Sequence, residues 1–357
     1  MDKTVIAVIG CGRIAKGSHF PAFATFGNVR VKYACDILIE KAEEMKNTYP
    51  DMVEQVITDY KIALSDNEVE AVFVLTPNYA HYTVTMDALK AGKHVFCEKP
   101  ITVNYKLSKE MADEAKKQNK LLCIGVCNRY NTSVEMLEQM VRDGKFGKIY
   151  HVYCSFRSYR SIPGLGGSFT NKAESGGGVL IDWGIHFLDL VLYVLGGAKL
   201  KTVTCDAYCE MAKDMSKYSY HSMWAEDTKD LNGVNDVDDF ITGHIRTDKA
   251  SISFNGAWAQ NIDARDMFID FLGDKGGARL DYGGKFVFYT QDEEGNLQTI
   301  APEYEICVQH TEEDRAFFEA LKTGEHNRIH IDNILESARL LDALYESAEK
   351  KREIVLD

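Results

Sequence analysis

The stretch "TVIAVIGCGRIA", residues 4 to 15, decides the fold. Its first seven residues form a run rich in β-branched side chains that ends at Gly10. An uninterrupted apolar run marks a strand buried on both faces, because neither side of it meets water. The pattern Gly10-x-Gly12-x-x-Ala15 follows directly. Gly10 permits a tight turn after the strand. Gly12 lets backbone N–H groups approach a pyrophosphate at a helix N-terminus, and the small Ala15 allows close helix–sheet packing. Strand, glycine turn and helix in that order open a dinucleotide-binding unit, with Arg13 and Ile14 beside the cofactor. Asp36 ends the next strand signal, 24 residues beyond Gly12. A carboxylate there bonds the adenosine ribose hydroxyls and repels a 2′-phosphate. No Arg or Lys directly follows Asp36 to offset that repulsion, so the expected cofactor is NAD rather than NADP.

Further strand signals follow at "VRVKYACD" (29–36), "VEAVFVLTP" (69–77), "KHVFCEKP" (93–100) and "LLCIGV" (121–126), with helical stretches such as 79–92 and 103–119 between them. This alternation predicts a doubly wound parallel sheet. The pattern changes after about residue 128. A helix, a strand over 148–159 and a glycine-rich loop are followed by strand signals separated only by short turns, the mark of a mostly antiparallel sheet. The tail, from residue 331, reads as an amphipathic helix capped by Asp332. The expected fold is therefore α/β, a doubly wound parallel sheet followed, after about residue 128, by a mostly antiparallel one. The segment 211–235 reads as an insertion that either covers a pocket or packs against another subunit.

At 357 residues two domains are the natural expectation. The formal net charge of −13 and the lack of a basic tract disfavour nucleic acid and anionic membranes as partners. The N-terminus shows no cleavage-site pattern, and the run "FLDLVLYVLGG" is short for a bilayer and carries Asp189. Nine cysteines, none in Cys-x-x-Cys spacing, fit small buried side chains in a reducing cytoplasm. His326 and His330 are four apart, but no Glu follows the first as a zincin requires, and no metal is expected.

Two further motifs carry chemistry: "EKP" (98–100) and "GGGVLIDWGIHFLDL" (176–190). The second sets Asp182 and His186 four residues apart, on one face of a helix. Beside the glycine fingerprint, these motifs make the chain resemble the Gfo/Idh/MocA oxidoreductases over nearly its whole length. It resembles in particular the members that oxidise C3 of glycosides, among them gut bacterial enzymes acting on plant glycosides. The resemblance implies that Thr76, Pro77, Asn78 and His81 of "TPNYAH" line the cofactor. It also implies that Glu98 and Lys99 lie near the nicotinamide ribose, with Lys99 reaching the substrate, and that the Lys99–Pro100 bond is often cis. Asn128 and Arg129 of "NRY" would lie near the nicotinamide. The resemblance further implies a Rossmann domain over 1–127 and an α/β domain over 128–357 whose large open sheet serves oligomerisation.

Oxidising a secondary alcohol requires removal of the hydroxyl proton as hydride leaves, so a base and nearby positive charge act together. His186 is the natural base, its ordinary pKa being near neutrality. Asp182 orients a substrate hydroxyl or the imidazole, and Lys99 lowers the alcohol's effective pKa or relays the proton. Whether Lys99 or His186 is the base stays open. Arg157 and Tyr159, with Arg160, are candidates for contacting a sugar. The expected reaction is NAD-dependent oxidation of a sugar, glycoside or cyclitol hydroxyl by a cytoplasmic homo-oligomer. Inositol dehydrogenase and a redox-neutral NAD-dependent glycosidase are the alternatives.

Overall fold

The computed structural model describes residues 3–221, 229–263, 266–282 and 284–356. They form two compact units: the chain up to Tyr130 together with Val308–Leu335, and Asn131–Cys307 together with the chain from Glu336.

The first unit is built on β1 (Thr4–Ile9), β2 (Val29–Cys35), β3 (Val53–Ile57), β4 (Ala71–Val74), β5 (His94–Glu98) and β6 (Leu122–Gly125). These pair in parallel in the order β3-β2-β1-β4-β5-β6. The strand order reverses between β1 and β4, and ligands of such sheets bind at the carboxyl ends of the strands beside that point. Strand β3 was not anticipated. Its "VEQVI" exposes Glu54 and Gln55 and buries only Val53 fully, as an edge strand does.

The expected pair of consecutive domains needs correction, because Val308–Leu335 returns to the first unit. The helix Gln309–Thr323, also unanticipated, is the reason. It carries Phe317 and Phe318, both buried. Phe317 meets Phe73 and Phe96 at ring-centroid distances of 5.2 and 5.7 Å, and Phe318 meets Phe23 at 6.0 Å. Each ring removed from water contributes about 1.5–3 kcal/mol.

The second unit holds β7 (Ile149–Arg157), β8 (Leu200–Tyr208), β9 (Phe240–Thr247), β10 (Ser251–Ala257), β11 (Asp266–Gly273), β12 (Gly276–Asp281), β13 (Phe286–Gln291), β14 (Leu297–Ile300) and β15 (Ile354–Val355). Their order is β14-β13-β12-β11-β7-β10-β9-β8-β15. Every pairing is antiparallel except β7 with β10. One face of the sheet joins Val152, Phe156, Ile252 and Ile245 to Leu188 and Leu344 in a single core. The other face shows Tyr153, Tyr208 and Tyr289 half exposed.

The helical path Lys172–Val194, 23 residues, is long and apolar enough to cross a membrane by length and composition, beyond what its sequence suggested. With 83% of its apolar window buried inside the protein, it is a core element of the second unit. Asp332 lies within a short 3-10 turn, Ile331–Asn333, ahead of the helix Leu335–Lys350, and so is not that helix's cap. Residues 222–228 of the insertion lie outside the described residues. The rest of it packs on its own unit. Tyr218 is buried, and its hydroxyl accepts from Ile162 N at 3.3 Å; the Tyr220 hydroxyl accepts from Leu165 N at 3.4 Å.

Candidate active site

In the first unit Gly10 has φ +97°, and a Cβ there would stand 2.4 Å from Leu75 O, so only glycine fits between β1 and the end of β4. A Cβ at Gly12 would meet nothing within 4 Å, leaving open space over the helix start. Asp36 accepts from Cys11 N at 2.9 Å and from Leu38 N at 3.0 Å, which fixes its carboxylate against the glycine turn. Arg13 is exposed and Ile14 half-buried at the head of the helix. Ile37 is 81% exposed beside Asp36, an apolar surface suited to one face of an adenine ring that sequence reading passed over. Across the sheet's switch point, Thr76 and Pro77 precede the helix Asn78–Lys90. Thr76 Oγ1 and Asn128 Nδ2 are buried without a protein partner. Unmatched buried polar atoms of this kind call for a ligand. Open glycine turn, ribose carboxylate and orphaned polar atoms together fit NAD.

Three expected cofactor or substrate contacts are otherwise engaged. The His81 ring bridges two backbone carbonyls, Pro100 O from Nδ1 at 2.7 Å and Thr76 O from Nε2 at 2.8 Å. Burial lowers its pKa, so a neutral ring with one N–H donates to one of the two carbonyls. Glu98 is buried, its Oε1 3.1 Å from His19 Nε2, while its Oε2 accepts from Lys99 N at 3.0 Å. Arg129 is 3% exposed and donates to Arg328 O and Asn333 O at 2.8 and 3.0 Å. Its guanidinium therefore pins the returning segment, a use that "NRY" alone does not reveal. The Lys99–Pro100 peptide is cis.

In the second unit Asp182 lies on a π-helical turn, Leu180–Gly184, that runs directly into the helix Ile185–Val194 carrying His186. A continuous α-helix was expected; single π turns recur at functional sites. Asp182 is buried, and its Oδ2 accepts from Trp258 Nε1 at 3.2 Å. His186 is half-buried one turn on, with its Nδ1 turned inward. Two of the three glycines have a packing reason. A Cβ at Gly177 would stand 2.1 Å from Tyr345 Oη, and one at Gly178 1.9 Å from Asp238 O. Asp238 accepts from Gly178 N at 2.8 Å, Leu180 N at 2.9 Å and Tyr345 Oη at 2.9 Å, anchoring the start of the π turn. Nothing in the local spacing pointed to Asp238 or Trp258, which reach the turn from just before β9 and just after β10. Asp189 accepts from Ser337 Oγ at 2.6 Å.

Arg157 pairs with Asp266 on β11, and its Nε donates to Ser155 Oγ at 3.3 Å. This is a cross-strand ion pair on the sheet. Tyr159 is half-buried, its ring 5.2 Å from that of His221. In the first unit, His326 and His330 stack at 3.5 Å with rings 12° from parallel. Lone pairs in parallel planes do not converge, so the pair is ill-suited to chelation.

Residues 4–126 match the oxidoreductase family, NAD-binding Rossmann fold (GFO/IDH/MocA), and residues 134–279 match the GFO/IDH/MocA C-terminal domain. The chain is 32% identical to the D-glucoside 3-dehydrogenase of Escherichia coli (strain K12) over 277 residues, 77% of this chain and 76% of that protein. It is 24% identical to the myo-inositol 2-dehydrogenase of Thermotoga maritima over 99% of this chain and 98% of that one. Levoglucosan dehydrogenase, solved with NADH and levoglucosan, shares the fold with a TM-score of 0.84 at 20% identity, covering 99% of each chain. Both family domains in order, and a relative of this identity matched over three quarters of its length, show that the chain belongs to the Gfo/Idh/MocA family of NAD-binding oxidoreductases.

Proposed function

We propose that this chain oxidises a secondary hydroxyl of a sugar or glycoside, C3 of a glucoside, to the 3-keto product. The observation that carries the reading is the π turn of the second unit. It holds a buried carboxylate, Asp182, by Trp258 and sets an imidazole, His186, one turn on. Likeness to a D-glucoside 3-dehydrogenase supports the choice of C3. Acceptance of the hydride is the chemistry that NAD supplies when bound. Asp36 takes the adenosine ribose hydroxyls, and Thr76 and Asn128 offer their unmatched polar atoms to the cofactor. His186 takes the substrate hydroxyl proton at Nε2, since Nδ1 is buried. Asp182, held by Trp258, accepts from a neighbouring hydroxyl and so orients the sugar. Lys99 supplies positive charge toward the forming alkoxide, and is the alternative base.

The end-to-end match to a myo-inositol 2-dehydrogenase favours a cyclitol as the second reading. Incubation with NAD and a panel of glucosides and inositols, following NADH and products together, separates the readings. NADH with a 3-keto glucoside is the expected result. NADH from inositols alone replaces the glycoside reading with the cyclitol one. Released aglycone without net NADH identifies a redox-neutral glycosidase.

A further inference from the structure

The first unit contains a buried charged chain that the reaction as described does not use. His19 sits at the end of the π-helical turn Ala15–His19, seven residues beyond Gly12, and is fully buried. Its Nδ1–H donates to Asp314, 3.0 Å from Oδ1 and 3.1 Å from Oδ2, and its Nε2–H donates to Glu98 Oε1 at 3.1 Å. Asp314 is fully buried on the returning helix, and Glu98 is 6% exposed at the end of β5. A ring whose two nitrogens both face carboxylates is an imidazolium. Glu98 also fills space that only glycine leaves open, since a Cβ on Gly125 would stand 2.7 Å from its Oε1.

We propose that His19 is a positioning residue for the catalytic turn: clamped by Asp314, its imidazolium keeps Glu98 ionised and aimed at the Lys99 backbone. This rests on the reading of Lys99 as part of the catalytic machinery. Glu98 Oε2 accepts from Lys99 N at 3.0 Å, so the carboxylate links the helix of the glycine turn to the first residue after β5. A neutral carboxyl would keep this link poorly, because protonation takes a lone pair and adds a donor with no acceptor provided.

The surroundings of Glu98 make His19 the decisive charge. From its own strand and turn it faces Cys97 and Lys99; from the helix Asn78–Lys90, the neutral His81; from the returning helix, His310, Glu313 and Asp314; from the end of β6, Cys127. The ligand atoms of His19, Glu98 and Glu313 all lie within 4.8 Å of one another. Burial, then the charges of Glu98 and Asp314, push Glu313 well above the carboxylate range, so it is a neutral acid. Burial keeps His310 low and neutral. For Glu98, burial acts to raise the pKa, but the hydrogen bond and charge of His19 outweigh it and hold the group below its ordinary range. For His19 itself burial acts downward, and Asp314 and Glu98 outweigh it, raising it well above an ordinary imidazole. In the unmodified protein Glu98 therefore stays ionised at neutral pH, and Asp314, lifted by burial to about 6, is the carboxylate that titrates first as pH falls. Without the imidazolium, burial and Asp314 lift the Glu98 pKa, and the turn is lost from the acid side.

The test is kcat and KM across about pH 5 to 9 for His19→Gln and Asp314→Asn, with NAD affinity by titration and folding by circular dichroism. His19→Gln keeps a hydrogen-bond donor but no charge. Its kcat is expected to fall about tenfold per pH unit below a new pKa and to recover toward the unmodified value at the alkaline end. Asp314→Asn should shift the limb in the same direction by less. In the cofactor-free protein, the ¹⁵N shifts of His19 should show both ring nitrogens protonated at neutral pH. A pH-independent loss in folded His19→Gln, or a neutral His19 tautomer at neutral pH, overturns the proposal. Lys99→Ala separates the two readings. Normal turnover there removes the catalytic assignment of Lys99, whereas loss of turnover there with an unaltered pH profile in His19→Gln removes only the role of His19.

Discussion

At the scale of single residues, the assignment that matters most is His186. It belongs to the second unit, whereas the glycine turn and Asp36, assigned above to the dinucleotide, belong to the first. His186→Ala should therefore lower turnover by about 10²–10⁴, the usual worth of a general base, with NAD affinity nearly intact. Asp182→Asn keeps the volume and can still accept from Trp258, but loses the charge. It should bind NAD normally and turn over slowly if the carboxylate orients substrate. Steady-state kinetics with NAD titration checks both. Near-normal turnover in folded His186→Ala would move the base to Lys99. The contrast with Arg129 and Arg157 is instructive. Both are cations of the kind that bind sugar hydroxyls, yet two backbone carbonyls engage the first and Asp266 the second. Residue type suggests what a side chain can do; the partners in the fold decide what it does.

At the scale of elements, the glycine-rich approach to Asp182 is a packing device. The Cβ of Gly178→Ala would stand 1.9 Å from the backbone oxygen of Asp238, which accepts from Val179 N at 2.9 Å, while the Asp238 carboxylate anchors Leu180 N. Backbone cannot swing aside as a flexible side chain does, so the π turn must shift. The variant should lose about 1–3 kcal/mol of stability, read from thermal or urea unfolding. It should also lose turnover beyond that, because Asp182 moves with the turn. Unchanged stability and turnover would show that the turn tolerates displacement. Elements whose cause is local were legible in the sequence. The strand "TVIAVIG" and its glycine turn, the helix expected over 103–119 and found at Tyr105–Gln118, and the strands of the second unit all appear where their patterns place them. What could not be read has non-local causes. Strand β3 is held by one buried valine and its neighbour β2. The helix Gln309–Thr323 is fixed by aromatic contacts to β4 and β5, more than 200 residues earlier. It brings Asp314 to His19, so the clamp on Glu98 was invisible for the same reason.

At the scale of the whole molecule, the nine-stranded sheet sets the question of assembly. Its inner face is closed by helices, while Tyr153, Tyr208 and Tyr289 stand 49%, 43% and 49% exposed on strands β7, β8 and β13. The outer face is mixed rather than uniformly apolar: Tyr153 lies across from Ser253 on β10 and Asp270 on β11. Aromatic side chains among hydrogen-bonding ones are the composition of protein interfaces, where the ring is buried and polar groups pair at little cost. A broad sheet face of this kind suits an isologous contact, in which the same patch serves both partners. The chain should therefore sediment as a homo-oligomer at micromolar concentration. Tyr153→Glu would place a carboxylate beside Asp270, and in a symmetric contact each added charge appears twice. That variant should sediment as a smaller species while keeping its thermal transition near that of the protomer, since Tyr153 is half exposed there and contributes little to the core. A monomer in the unmodified protein, or an assembly unmoved by Tyr153→Glu, would place the contact elsewhere or remove it.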